Sequence, residues 1–171
     1  RELDRYEAML SNWRADSPVS RFNASRSTEW QPMPAEVIEI VEIAKRIADD
    51  TDGALDITLS PLVDLWGFGA QGRRITPPTD EEVQAVKKHC GWSQLEWRPE
   101  PPALRKKRPE VEINLSSIVE GWVLERLAKR LQGDFLLEIG GEVLARGFSA
   151  PGSPWRVGVQ TPDAPSGDVM Q

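Results

Sequence analysis

At Asn114-Leu-Ser-Ser117 the chain enters a helical pattern that carries a carboxylate, Glu120, in its first turn. Placing residues at about 100° steps from Ile118 sets Val123, Leu124, Leu127 and Leu131 between about 140° and 240°, with Glu120 inside that apolar row at about 200°. Two readings stay open: a glutamate easing the positive end of the helix dipole, or a carboxylate lining a site at the helix entrance. The free N–H groups of the same entrance suit a phosphate, as those of any helix start do. Gly140-Gly141-Glu142 lets a backbone approach a planar or phosphate-bearing ligand closely, and serves equally as a tight turn between strands. Trp13 ends a helix pattern directly before a polar Ser/Asn stretch, where its ring can stack on a flat ligand. His89-Cys90 is a poor thiol–imidazole couple, because helix neighbours point about 100° apart. Closure of a helix C-terminus by Gly91 accounts for the pair.

Scarcity bounds the remaining chemistry. With one cysteine and one histidine in 171 residues, the sequence holds no internal disulfide and no His/Cys cluster for zinc, haem or iron–sulfur, so a metal would be held by oxygen. Neither a G-x-G-x-x-G fingerprint nor a P-loop is present. A net charge of −6 argues against a nucleic-acid partner held by bulk charge, and Arg105-Lys-Lys-Arg108 reads as a solvated turn. No stretch approaches the ~18 consecutive apolar residues of a membrane span. Hydrophobic residues at 39% suffice for one packed core, so residues 1–171 read as a single domain. An initial arginine and a final segment that stops in mid-hairpin give the expectation of a chain shortened at both ends. Most of the seven tryptophans are expected in packing, with Trp13, Trp66 and Trp122 placed at element ends.

These residues need elements to hold them. Leu3, Tyr6, Leu10 and Trp13 predict a first helix ending near Asp16-Ser-Pro18, followed by a polar loop over 20–27. Val37, Ile38, Val41, Ala44, Ile47 and Ala48 predict a second helix, entered after Pro34 and stopped by Thr51-Asp-Gly53. Leu55–Leu59 reads as extended and Pro61–Trp66 as a helical turn. Thr79-Asp-Glu-Glu82 is a capping box, from which a third helix runs to about Cys90. Strands are expected around Leu95 and Val111–Leu115, flanking a basic, proline-rich loop from Arg98 to Pro109. Ser116 or Ser117 caps a fourth helix to about Leu131, and strands follow at Phe135–Ile139, Val143–Gly147 and Trp155–Gln160. A turn over 161–168 and a returning strand at 169–171 close the chain. Short strand-turn-strand joins favour antiparallel pairing, giving an α+β fold with a mainly antiparallel sheet covered by helices.

Taken in order, Ser11-Asn-Trp13, Asp16-Ser-Pro-Val-Ser-Arg-Phe-Asn23, Thr51-Asp-Gly-Ala-Leu-Asp-Ile-Thr58, Pro61-Leu-Val63, Leu65-Trp-Gly-Phe-Gly69, Asn114-Leu-Ser-Ser-Ile-Val-Glu-Gly-Trp122, Gly140-Gly-Glu142 and Trp155-Arg-Val-Gly-Val-Gln-Thr-Pro162 resemble the ApbE family. The resemblance implies a Mg2+-dependent FAD:protein FMN transferase. Such an enzyme splits FAD at its pyrophosphate, joins FMN through a phosphodiester to a threonine or serine of a target flavoprotein, and releases AMP. It also implies an aromatic, here Trp13, beside the isoalloxazine. Ala54, Leu55, Asp56, Asn114 and Glu120 fall at FAD-binding positions, and the Ser117 carbonyl at a Mg2+ ligand position. Asn114 and Glu120 stand where the family usually has Asp and Lys, changes that add negative charge beside an anionic ligand. The family's further metal ligands, an Asp and a Thr, are expected after Gln171, so residues 1–171 alone are expected to be inactive and to hold no tight metal. The resemblance further implies a place outside the cytoplasmic membrane, with attachment through a lipid anchor. A catalytically degenerate relative that binds or hydrolyses flavin is the alternative.

Overall fold

The computed structural model describes residues 1–69, 72–160 and 169–170. They form two compact units, Arg1–Trp122 and Val123–Gln171, all of whose paired strands are antiparallel. The fold is α+β.

In the first unit, helix α1 (Glu2–Leu10) buries Tyr6, Met9 and Leu10, the three- and four-residue spacing that its sequence announces. It stops short of Trp13. The first part of the expected polar loop belongs to helix α2 (Pro18–Ala24), and only residues 25–27 of it are irregular. Ser17 caps it by accepting the Ser20 N–H at 2.9 Å, Pro18 takes an early position where no N–H is needed, and Val19 and Phe22 turn inward. That Ser-Pro start marks a helix and not the end of one.

Strand β1 (Gln31–Pro32) precedes helix α3 (Ala35–Asp50), which buries Val37, Ile38, Ile40, Val41, Ala44 and Ala48. Asp52 and Gly53 then adopt positive φ, and the Gly53 N–H closes on the Ala48 carbonyl at 2.7 Å. The segment expected to be extended after it contains a 3-10 turn, Ile57–Leu59, because Asp56 caps it by accepting the Thr58 N–H. Helix α4 (Ser60–Leu65) follows with Pro61 in its first turn. Helix α5 (Asp80–Lys87) has the capping box between Thr79 and Glu82 and ends three residues before Cys90.

The basic stretch is a strand, not a loop. Strands β2 (Leu95–Pro99) and β3 (Pro102–Lys106) form a hairpin, and β1 adds to the far edge of β3. Residues 111–115 carry no strand pairing, contrary to expectation. The sheet packs on α3, and Leu95, Ala103, Leu104, Val111, Ile113 and Leu115 join the core.

Helix α6 (Ser116–Ala128) ends earlier than its apolar row suggested. Trp122, Val123, Leu124 and Ala128 are buried on it, Leu127 is half-buried, and Leu131 lies exposed beyond its end. Trp122 therefore sits within the helix, its ring edge-on to Tyr6 at 5.2 Å.

The second unit is a series of hairpins. Strands β4 (Phe135–Ile139) and β5 (Glu142–Arg146) turn at Gly140 and Gly141, whose φ values of 63° and 103° suit a two-residue turn that L side chains resist. Strands β6 (Phe148–Ala150) and β7 (Ser153–Pro154) pair next, and β8 (Val159–Gln160) pairs with β9 (Val169–Met170). The expected strand from Trp155 is paired only at its end, and the turn expected over 161–168 lies outside the described residues.

Candidate functional site

Asn114 joins the separate pieces of the site. Its N–H donates to the Ile57 carbonyl at 2.7 Å, which sets residue 114 beside the turn that begins at Asp56. Its side-chain Oδ1 accepts the Ser116 N–H at 2.9 Å, so Asn114, rather than Ser116 or Ser117, satisfies the opening of α6. From there the Ser116 hydroxyl reaches Asn12 Oδ1 at 3.4 Å, which brings in the residue before Trp13. The segments carrying Trp13, Asp56, Asn114 and Ser117 are thus linked by hydrogen bonds, although they lie up to 104 positions apart.

Trp13 is 63% exposed, and its N–H donates to Ser11 Oγ at 3.1 Å. The loop behind it is anchored by the buried Ser17, whose hydroxyl donates to the Ser11 carbonyl at 2.5 Å. An exposed indole on a tied backbone is a surface offered to a flat ligand.

The second segment is held in the same manner. Asp56 Oδ1 accepts from both the N–H and the hydroxyl of Thr58, at 2.8 and 2.6 Å. The Thr58 hydroxyl in turn accepts the Gly91 N–H at 2.5 Å, and the Leu55 carbonyl accepts the Trp92 indole N–H at 3.0 Å. Ala54 is exposed, while Leu55 and Asp56 are half-buried. Gly91 and Trp92 consequently brace this segment, and Gly91 opens a 3-10 turn instead of closing α5.

On α6, Ser117 is exposed and Glu120 half-buried. Glu120 is the fifth helical residue, one turn in and not in the first turn, so the dipole at the helix entrance acts on it weakly. It forms no ion pair among the described residues, and no hydrogen bond joins it to the other candidates. At Gly121, nothing lies within 4 Å of where a Cβ would project. The helix surface at Gly121, one turn on from Ser117, is therefore open, and one backbone carbonyl would supply a single oxygen of a cation's shell. Among the described residues no three His, Cys, Asp or Glu side chains gather to complete such a shell.

One buried cation, Lys106, lies near several half-buried ionisable groups. Lys106 has no exposed surface, and its ammonium donates to the Asn23 and Val111 carbonyls, each at 3.1 Å, with the Phe22 ring centre 5.1 Å away. Burial pushes its pKa below the usual lysine value, against the pull of Glu112. Burial raises the carboxyl pKa of Glu112, and the charge of Asp64 raises it further. Asp64 is itself raised by burial, and the Cys90 thiol is pushed up by burial and by Asp56. The expectation of a fully solvated basic run at 105–108 thus fails at Lys106, which shares the inward face of β3 with Leu104.

A surface groove of about 510 Å3 lies elsewhere, lined by Glu39, Glu42, Ile43, Lys45, Arg46 and Trp97, and contains none of the candidate residues. Asn12, Asn23 and Lys106 were not singled out by sequence reasoning. Recognising β3 as a strand would have placed Lys106 inward, two residues from Leu104; recognising Ser17-Pro18 as a helix start would have carried Asn23 to the end of a packed helix.

The profile of the ApbE family matches residues 1–171. The chain belongs to the ApbE family. It is 36% identical over its whole length to an FAD:protein FMN transferase of Vibrio cholerae, covering 52% of that protein, and 37% identical over 94% of its length to one of Salmonella typhimurium, covering 48%. Among solved structures, the flavin transferase ApbE of Vibrio cholerae superposes with a TM-score of 0.85 at 37% identity, over 94% of this chain and 54% of that one. The apo flavinyl transferase ApbE of Pseudomonas stutzeri gives 0.80 at 36% identity, over 92% and 53%. The chain spans about half the length of the curated relatives it matches.

Proposed function

We propose that this chain is part of a flavin transferase that takes FAD and a target flavoprotein as substrates. The reading is supported by one observation: the hydrogen bonds from Asn114 to Ile57 and from Ser116 to Asn12 hold the segments that carry Trp13, Asp56 and Asn114 next to one another. In this reading the oxygen of an acceptor threonine or serine attacks the FMN-side phosphorus. The pyrophosphate P–O bond breaks, a phosphodiester forms, the hydroxyl proton is lost, and AMP leaves. Trp13 stacks on the flavin ring, while Ala54, Leu55 and Asp56 border the ligand from a turn tied down by Gly91 and Trp92. Asn114 presents its amide next to them, and the Ser117 carbonyl supplies one oxygen to Mg2+. When bound, Mg2+ offsets charge developing on the pyrophosphate. A place outside the cytoplasmic membrane, with a lipid anchor, belongs to the same proposal.

The test uses the complete protein with FAD, Mg2+ and a flavoprotein bearing an acceptor Thr/Ser. Transfer adds the mass of a phosphodiester-linked FMN to the acceptor and releases one AMP per adduct. FAD bound or hydrolysed without any adduct would replace this reading with that of a degenerate relative. Among the described residues the half-buried carboxylate of Glu120 has no cationic partner, and a negative charge at an FAD position favours this second reading.

A further inference from the structure

The segment 111–115 has no strand partner, yet Val111, Ile113 and Leu115 are fully or almost fully buried. Buried backbone outside regular structure must find its hydrogen bonds elsewhere. Two residues meet that need here. The Asn23 side chain takes both polar groups of Ile113: its Nδ2 donates to the Ile113 carbonyl at 2.8 Å, and its Oδ1 accepts the Ile113 N–H at 2.9 Å. The Lys106 ammonium joins the Val111 carbonyl to the backbone carbonyl of Asn23 itself, at 3.1 Å each. The end of α2, the end of β3 and residues 111–113 are therefore tied at one point. The next residue is Asn114.

We propose that Asn23 and Lys106 are positioning residues for the flavin site, fixing the backbone of residues 111–113 so that Asn114 and the entrance of α6 are delivered in register with the Asp56 turn. The inference rests on the flavin-transferase reading and extends it to two residues that hold the backbone leading to Asn114. Asn23 imitates a neighbouring strand. Its amide offers the donor and acceptor that residue 113 would otherwise exchange with a partner backbone, and at that residue alone. Lys106 has a different part. An ammonium has three protons and no acceptor, so it can bridge two carbonyls that would repel each other if brought together unaided. The register of Asn114 on Ile57 then follows: with Ile113 held on one side, the Asn114 N–H, on the opposite edge of the segment, meets the Ile57 carbonyl at 2.7 Å. Loss of either clamp frees that carbonyl contact; because Lys106 is also a buried residue of β3, its variant has to be read against a core control.

The experiment compares wild type, Asn23→Ala, Lys106→Met and the core control Ile40→Val in the complete protein. Melting temperature, the FAD dissociation constant by calorimetry, and FMN transfer are measured for each. Asn23→Ala and Lys106→Met are expected to weaken FAD binding by about tenfold or more, because the backbone that carries Asn114 is no longer held in place before the ligand arrives. Ile40→Val, which lowers stability through α3 alone, is expected to leave the constant within about twofold of wild type. If Asn23→Ala does not give folded protein, Asn23→Asp, which keeps the acceptor for the Ile113 N–H, is compared in the same way. Variants that bind FAD as wild type does, or weaken binding no more than Ile40→Val, overturn the inference and leave the functional reading intact. A wild type that neither binds FAD nor transfers FMN overturns the functional reading, and this inference with it.

Discussion

Replacing Trp13 by alanine separates binding from folding. A tryptophan covers roughly 150–250 Å2 when fully enclosed. With 63% of this residue open to solvent, stacking one face on a planar ring withdraws roughly 80 Å2, or ~2 kcal/mol at ~25 cal/mol per Å2. That matches the ~1–3 kcal/mol found when aromatics stacked on nucleobases are truncated, and corresponds to about a 30-fold rise in the FAD dissociation constant. Folding should scarcely register the change, within ~0.5 kcal/mol, because the ring is exposed. The backbone contacts that hold its loop, from the Trp13 N–H to Ser11 and from Ser17 to the Ser11 carbonyl, do not involve the indole. Calorimetric titration of FAD into the complete wild-type and Trp13→Ala proteins, paired with urea unfolding of both, makes the comparison. An unchanged dissociation constant refutes the stacking argument. A loss of more than ~1 kcal/mol in folding stability with no effect on FAD would recast Trp13 as a packing residue.

Three further substitutions probe α4 and the segment after it. Burial raises the Asp64 carboxyl above its ordinary value of 3.8, so stability gained from its neutral form is complete below that pH and is lost as pH rises through the folded value. Asp64→Asn should therefore match wild type in acid and exceed it at neutral pH; urea midpoints from pH 3 to 7 that differ by a constant amount would contradict this. Gly67 has φ +79° and a Cβ there would lie 2.2 Å from the Arg74 backbone nitrogen, whereas Gly72 has φ +97° and open surroundings. Both alanine variants should lose the ~1–3 kcal/mol typical of a strained backbone, and Gly67→Ala measurably more; equal losses in thermal unfolding would remove the role assigned to the Arg74 contact.

The helices were legible wherever a local device wrote them. The Thr79 capping box, the inward row of α3 with its Gly53 stop, and the Gly140-Gly141 turn each depend on residues within a few positions of one another. Failures arose where charge or polarity was taken as exposure. Ser20–Ser27 looked like a loop because its polar residues outnumber its apolar ones, yet two inward residues, Val19 and Phe22, and a serine cap suffice for a short helix against a core. The basic strand was missed for the same reason. Arg98 and Arg105 lie over the faces of the Trp30 ring at 4.7 and 4.8 Å, and Arg105 also pairs with Glu96, so charge along β2 and β3 is stacked and paired on the sheet rather than set in a loop.

The candidate site rests on an ordered resemblance alone, and the contacts around it show why no local pattern could supply it. Asn23 and Ile113 are 90 positions apart, Asn12 and Ser116 104, and Thr58 and Gly91 33. Each contact is made by a short polar side chain to a backbone group or to another short polar side chain, and such side chains look alike in a helix cap, a turn or a site. Lys106 goes further, because the sequence signal and the structural outcome have opposite signs: a lysine within a basic run reads as solvated, while the strand period turns it onto the face of Leu104. What makes that burial tolerable is the nearby backbone. Two carbonyls and an aromatic ring accept the ammonium, Glu112 opposes its loss of charge, and the same carbonyls would stand unsatisfied without it. A buried cation held in this way ties chain segments together more than it strengthens the core. Through the Val111 carbonyl it holds the backbone three residues before Asn114, which ties the proposed placement of Asn114 to the stability of this fold.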